Sequence, residues 1–332
     1  MVKRRTGSGM LDRTRGRPDF CTRAWWVRAA NSPIQQPVIM MTPIATFGTD
    51  AATGSAGGAA PLYYRMPIGF GPFPGPRQIP GPGRRMPGAS RRTTASVTCA
   101  TEKDAIRKLL PSCFEPGAAP TVTVEVQQIE NLDWLAGRGY STLGVKFPAT
   151  FQTSTEVIEG DFLAVLWENL ADPIISGREE LGFSKLWCEI EETVRIGNRR
   201  KFTGQWLGHE FVKIELVGLR ETEGPVPPRR PLFHYKYMPR TGCPGEADAA
   251  YPVMTPAENP ELVVDRRFSA DGSFEFRESS WEELPTLFHI VNSFAGLPNK
   301  GFLGASLVYS HGGKDLSDQM ILNSQQPVGL RI

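Results

Sequence analysis

The sequence predicts a mainly β protein of the α+β kind, a barrel or sandwich of antiparallel strands carrying a few peripheral helices. Three observations carry that prediction. Short alternating or apolar runs recur along the chain, only two stretches show a helical period, and the connections are dense in Gly and Pro, 34 and 29 of 332 residues. No β–α–β alternation appears, which argues against a doubly wound sheet.

Order is expected from about Arg91 onward. The stretch 98–110 reads as a strand end followed by a helix: Thr101-x-x-Asp104 resembles a capping box with Asp in place of Glu, Ile106, Leu109 and Leu110 share a face, and Pro111 stops it. Residues 121–126 alternate strictly, with Val122, Val124 and Val126 on one side and Thr121, Thr123 and Glu125 on the other. The run 161–167 is apolar on both faces and predicts a fully enclosed strand. Further strands are expected over 185–191, 202–207, 210–217, 232–238, 262–268, 272–277 and 302–310. A longer helix is expected over 280–294, where Trp281, Leu284, Leu287, Phe288 and Val291 recur at helical spacing before Gly296 and Pro298. Pro285 allows a kink or a later start.

Hydrophobic residues make up 40% of the chain and charged residues 22%, ordinary globular usage. The longest apolar runs are too short to span a bilayer, so no membrane partner is expected. The net charge is +2, but residues 1–30 hold eight Lys or Arg against two Asp, which leaves −4 for the rest. A body without a strong positive field argues against a nucleic-acid partner. Residues 1–55 lack a sustained period and read as a disordered basic N-terminal extension, with 56–332 as one domain. A Pro/Gly-rich lead-in covers 61–90, where 67–88 alone hold seven Pro and six Gly. The Arg-rich head also fits a mitochondrial transit segment; otherwise a cytoplasmic protein is expected. Five cysteines without a C-x-x-C pair, and four histidines without H-E-x-x-H spacing, point to neither a disulfide scaffold nor a metal site.

The most informative stretch runs from Glu168-Asn-Leu-Ala-Asp-Pro to Gly177-Arg-Glu-Glu-Leu-Gly-Phe-Ser-Lys185. A buried strand ends, a proline turn follows, and a Gly-Arg-Glu element leads to one lysine at the start of the next strand. There Lys185, Trp187 and Glu189 share one face, and Phe183, Leu186 and Trp187 give the lysine an apolar neighbourhood. Desolvation disfavours the charged amine. A neutral amine condenses with a ketone to an iminium, an electron sink for decarboxylation or aldol-type steps. A surface lysine that snorkels from a strand end is the competing reading. His209-Glu210, a lone dipeptide between two strands, reads as structural.

These residues resemble the acetoacetate decarboxylase family, above all its fungal-type branch with a Gly-Arg-Glu-Glu-x-Gly-Phe-Pro-Lys signature. Phe70-Gly-Pro-Phe-Pro-Gly-Pro-Arg-Gln78 also resembles the start of such proteins, and the likeness extends over roughly 63–315. The resemblance implies a cone-like, mainly antiparallel β-barrel around a Schiff-base lysine, matched by Lys185. It implies an arginine for the substrate carboxylate, matched by Arg92 with Arg91 one position away, and a catalytic glutamate matched by Glu125. Arg178 and Glu179 take a supporting role at the turn. It further implies no cofactor and a homo-oligomer as the assembly.

Three positions depart from the family pattern. Leu186 stands where a second lysine follows the first, Ser184 replaces the usual proline, and 140–144 offer Ser141 and Thr142 where a further glutamate is expected. The expectation is therefore a cofactor-independent lysine-iminium decarboxylase of a β-keto acid larger than acetoacetate, a polyketide- or fatty-acid-like intermediate of secondary metabolism. The alternatives are a Schiff-base aldolase or dehydratase on the same scaffold, and a non-catalytic barrel that binds an apolar ligand.

Overall fold

The computed structural model describes Tyr64–Arg65, residues 73–75 and residues 90–324. The expected N-terminal extension lies outside the described residues, as does most of the Pro/Gly lead-in. Ala60–Arg240 with Glu246–Ile332 form the larger of two compact units and carry the site; of the other unit, only the turn 241–245 is described.

Strands dominate. They are β1 (Tyr64–Arg65), β2 (Phe73–Pro74), β3 (Arg91–Ala100), β4 (Phe114–Pro116), β5 (Thr121–Leu132), β6 (Arg138–Gln152), β7 (Val157–Glu168) and β8 (Lys185–Trp187). They continue as β9 (Glu189–Ile196), β10 (Arg199–Trp206), β11 (His209–Glu221), β12 (Leu232–Pro239), β13 (Ala247–Thr255), β14 (Val263–Phe276), β15 (Gly301–His311) and β16 (Met320–Ile321). The helices are α1 (Lys103–Arg107), α2 (Ala171–Ser176), which runs into a π-helical turn Gly177–Leu181, and α3 (Phe288–Ala295).

Apart from the β1–β2 pair, the described strands form one 14-stranded sheet in the order β16-β13-β12-β7-β6-β5-β3-β15-β14-β11-β10-β9, with β4 on β6 and β8 on β7. The expectation of a mainly β protein with few helices holds. The barrel does not: the ladder ends at β16 and β9 without closing. Nor is the sheet wholly antiparallel, because β7 pairs in parallel with both β12 and β8.

The valine face of β5 lies in the core, with Val124 and Val126 fully buried, each such side chain contributing about 1.5–3 kcal/mol. On β7 the core side is aromatic. Trp167 packs 5.3 Å from Phe211 and 6.2 Å from Phe294 of α3, edge-on in the second case. The run 161–167 serves two faces because β7 carries a bulge. Val145 pairs with Val165 and Lys146 with Leu163, which leaves Ala164 as the extra residue. That shift sends Phe162, Val165 and Trp167 to the main core. Leu163 and Leu166 turn to a second cluster with Leu181 and Phe183.

Several local expectations are corrected. Helix α1 begins after Glu102, makes no side-chain cap and stops at Arg107, so the Thr101–Asp104 box does not form. The expected strand 185–191 breaks at the buried Cys188, and Trp187 faces solvent while Lys185 is buried, so the two do not share an environment. The runs 262–268 and 272–277 are one strand with a register shift between Val264 and Arg266. As Pro285 allows, the last helix starts late, at Phe288, and Trp281 is 63% exposed.

Candidate active site

Lys185 opens β8 and is 7% exposed. Its Nζ lies 2.8 Å from Glu168 Oε1, donates to the carbonyl oxygen of Pro173 at 2.9 Å, and sits 5.9 Å from the Phe183 ring centre. Glu168 ends β7 and is 1% exposed. Its position is fixed from both sides: Glu168 pairs with Thr142 of β6, and the Asn169 side chain accepts a hydrogen bond from Ser141 N. The bulge at Ala164 sets the alternation that turns Glu168 away from the aromatic core and toward the lysine.

The segment between β7 and β8 closes over the amine. Gly177, at the junction of α2 and the π-helical turn, touches Lys185 so closely that a Cβ there would overlap Lys185 Cε. Gly182 ends the turn at φ +81°, a left-handed conformation that glycine adopts without cost. Arg178 donates to the Lys185 carbonyl at 2.8 Å, and Lys236 donates to the Glu179 carbonyl at 2.8 Å. Arg178 and Glu179 thus hold the turn through hydrogen bonds that involve main chain. His234, fully buried on β12, bonds through Nε2 to the Leu181 carbonyl at 2.8 Å and stacks on Phe183 with ring centres 4.1 Å apart. Burial lowers its pKa to about 4, so the ring is neutral and its Nε2 is the donor.

The electrostatics of the pair follow from its burial. Desolvation pushes the Glu168 carboxyl up, and the Lys185 ammonium only partly offsets it. Glu168 Oε2 is buried without a hydrogen-bond partner. Burial thus disfavours the charged carboxylate beside the amine, and a proton passing between the two across 2.8 Å would remove both charges from a dry setting. The amine thus has polar neighbours in Glu168 Oε1 and Pro173 O, and the Phe183 ring beside it.

Arg92 and Glu125 belong to a second cluster on the same side of the sheet. Lys185, Leu166, Gly144, Glu125 and Ser96 are successive cross-strand partners from β8 to β3. Glu125 is three strands from Lys185 along this row, about 14 Å at ordinary strand spacing. Its carboxylate accepts from Lys146 Nζ at 2.8 Å and from Gln127 at 2.7 Å. Burial alone would raise the Glu125 pKa, but Lys146, Gln127 and Arg229 together lower it below the ordinary value. Burial would likewise lower Lys146, and Glu125 reverses that. Arg92 is lowered by burial and lies within the fields of Tyr140, Arg229 and Glu125; its Nε is buried without a hydrogen-bond partner. The alternative, Arg91, is exposed.

The structure thus brings Lys185 to Glu168 and Arg92 to the Glu125–Lys146 pair. Sequence reasoning missed Glu168 as a functional group, although it stands in the quoted motif; the available signal was a carboxylate closing an otherwise apolar strand. It also missed Gly177 and His234. His209 turns to Ser279 Oγ, 2.8 Å away, and to Glu283, not to Glu210. Ser279 is itself buried and clasped by Asn292, so these contacts tie down the turn before α3.

Fold and site together define a protein built on one large mixed β-sheet around a buried amine–carboxylate pair. The chain belongs to the acetoacetate decarboxylase family, whose model matches residues 65–298. No curated protein matches the sequence. Among solved structures, an acetoacetate decarboxylase superposes with a TM-score of 0.55 at 15% identity, over 72% of this chain and 90% of its own. The acetoacetate decarboxylase from Legionella pneumophila gives 0.53 at 16%, over 74% and 92%. The enduracididine biosynthesis enzyme MppR complexed with pyruvate gives 0.55 at 18%, over 80% and 99%. At such identities these likenesses establish the fold.

Proposed function

We propose that the chain is a lysine-iminium decarboxylase of a β-keto acid larger than acetoacetate. One observation carries this reading: Lys185 is buried against Glu168, a carboxyl that its own burial disposes to take the proton. Glu168 accepts a proton from Lys185, and the amine adds to the ketone carbon. The carbinolamine then loses water with Glu168 as the acid, leaving the iminium. The C–C bond to the carboxylate breaks, CO2 departs, and the electron pair moves to the iminium nitrogen as an enamine. Protonation at carbon and addition of water release the ketone and regenerate Lys185.

The larger substrate is supported by the separation of the two clusters. The Glu125–Lys146 pair stands three strands from Lys185 and Arg92 lies further along β3, so the two clusters suit an acid whose second polar group is remote from its ketone. A longer acid with a second anionic or polar end spans from the amine to Arg92 and Lys146. Arg92 then anchors the remote end, and Glu125 keeps Lys146 charged and fixed. Leu186 in place of a neighbouring cation is consistent with Glu168 setting the state of the amine. An aldol or dehydration outcome through the same iminium is the second reading, supported by the absence of a carboxylate at 140–144. MppR, a neighbour in fold, has been captured with the condensation product of pyruvate and imidazole 4-carboxaldehyde.

The test is product analysis with a panel of β-keto acids of increasing length that carry a remote carboxylate. Release of CO2 with one equivalent of ketone, lost in Lys185→Ala, supports decarboxylation. Condensed or dehydrated carbonyl products without CO2 support the second reading.

A further inference from the structure

The edge of β7 that carries β8 also carries β12, and the two meet it at different heights. β12 pairs with Asp161 and Phe162, β8 pairs with 166–168, and the bulged stretch 163–165 between them has neither as a partner. The strands diverge there and leave a crevice of about 350 Å³, at the small end of ligand-pocket volumes. Openings where neighbouring strands part are a recurrent place for ligands in sheets with parallel pairs. Ala164 and Val165 form part of its lining, with Leu186 of β8, Tyr235 of β12 and Ile290 of α3.

Lys185 does not line this crevice, whereas its neighbours Ser184 and Leu186 do. The crevice opens on the Ser184 and Leu186 side of the strand and shares Phe183 with the surroundings of the amine. Arg178 also lines it and supplies its charge. Among the described residues Arg178 makes one hydrogen bond, to the Lys185 carbonyl, and no ion pair. A guanidinium held in place by one bond, with four N–H donors left for another partner, stands beside apolar and aromatic walls.

We propose that this crevice is a second binding site, for an apolar carboxylate, separate from the Lys185 site and coupled to it through Arg178. The carboxylate pairs with the guanidinium in a fork geometry, and the apolar body lies between Tyr235 and Ile290. The site does not depend on the chemistry assigned to Lys185, so a chain that forms no iminium still binds.

The probe is 4-phenylbutanoate, with 4-phenylbutanamide as its uncharged match, titrated by calorimetry against the full chain. Saturable binding at about millimolar affinity or tighter is expected, weakened at least about tenfold for the amide and for Arg178→Met. Ile290→Trp fills the crevice from α3, and binding is expected to vanish. Lys185→Ala is expected to bind within about twofold of the parent, since its side chain points elsewhere. Circular dichroism establishes that each variant is folded. No saturable binding to the parent, retained binding in a folded Ile290→Trp, or loss of binding in a folded Lys185→Ala each overturns the proposal.

Discussion

Replacing Glu168 by Gln tests the pair at the centre of the site. The substitution keeps shape and removes the carboxylate that lies 2.8 Å from Lys185 Nζ. At an effective dielectric constant near 20, two unit charges at that distance attract by about 6 kcal/mol. Mutational experience with buried pairs puts the cost of orphaning one partner at about 3–5 kcal/mol. Both groups are more than nine-tenths buried, so the discount for solvent screening is small. With a urea slope of about 3 kcal/mol per molar, the unfolding midpoint falls by about 1 M or more. The double variant Glu168→Gln/Lys185→Met removes the stranded charge as well, and recovers at least about 2 kcal/mol of the loss. Turnover in Glu168→Gln falls by about 10²–10⁴, the contribution typical of a positioned acid–base group. A loss of stability under about 1 kcal/mol, as for an exposed pair, with turnover unchanged, would refute the reasoning.

His234 makes stability sensitive to mild acid. Its folded pKa is about 4 against 6.5 for the free side chain, so the unfolded chain binds the proton first, and stability rises with pH through this window. The contribution is fully present above 6.5 and is lost as pH falls toward 4. Urea unfolding at pH 7.5 and pH 5 should show about 2 kcal/mol less acid destabilisation in His234→Gln than in the parent. Gly177→Ala brings a methyl against Lys185 Cε. The end of the lysine must yield, the amine moves off Glu168, and so stability falls as it does when the buried pair is broken, while turnover drops at least about tenfold. Arg92→Leu raises KM for a substrate with a remote carboxylate by about tenfold or more, and leaves a neutral ketone's condensation with the amine unaffected; equal KM values would remove Arg92 from substrate binding.

The parts of the fold that were legible in the sequence are those with strong alternation or an uninterrupted apolar run. The valines of β5 and the apolar stretch of β7 were read correctly because one period dominates each. β6 and β13 were missed: β6 mixes Gly144, Lys146 and Pro148 among its apolar residues, and β13 is broken by Pro252. The bulge at Ala164 leaves no mark in composition, yet it decides which residues of β7 face the amine. Lys185 was legible as a candidate because a lone amine follows a turn rich in glycine, and the family likeness singles it out. Glu168 was not, since its significance lies in a parallel contact between β7 and β8 across a 16-residue excursion. The choice between a closed barrel and open, bent sheets was not legible for a related reason. Strand count and length suggest closure, whereas closure is a property of which edges meet.

Borohydride reduction in the presence of a β-keto acid, followed by peptide mass analysis, tests the iminium most directly. The account predicts one stable adduct, on Lys185, that forms only with substrate present and is lost when excess non-reducible carboxylate competes. Turnover of the keto acid with Lys185 left unmodified would contradict it.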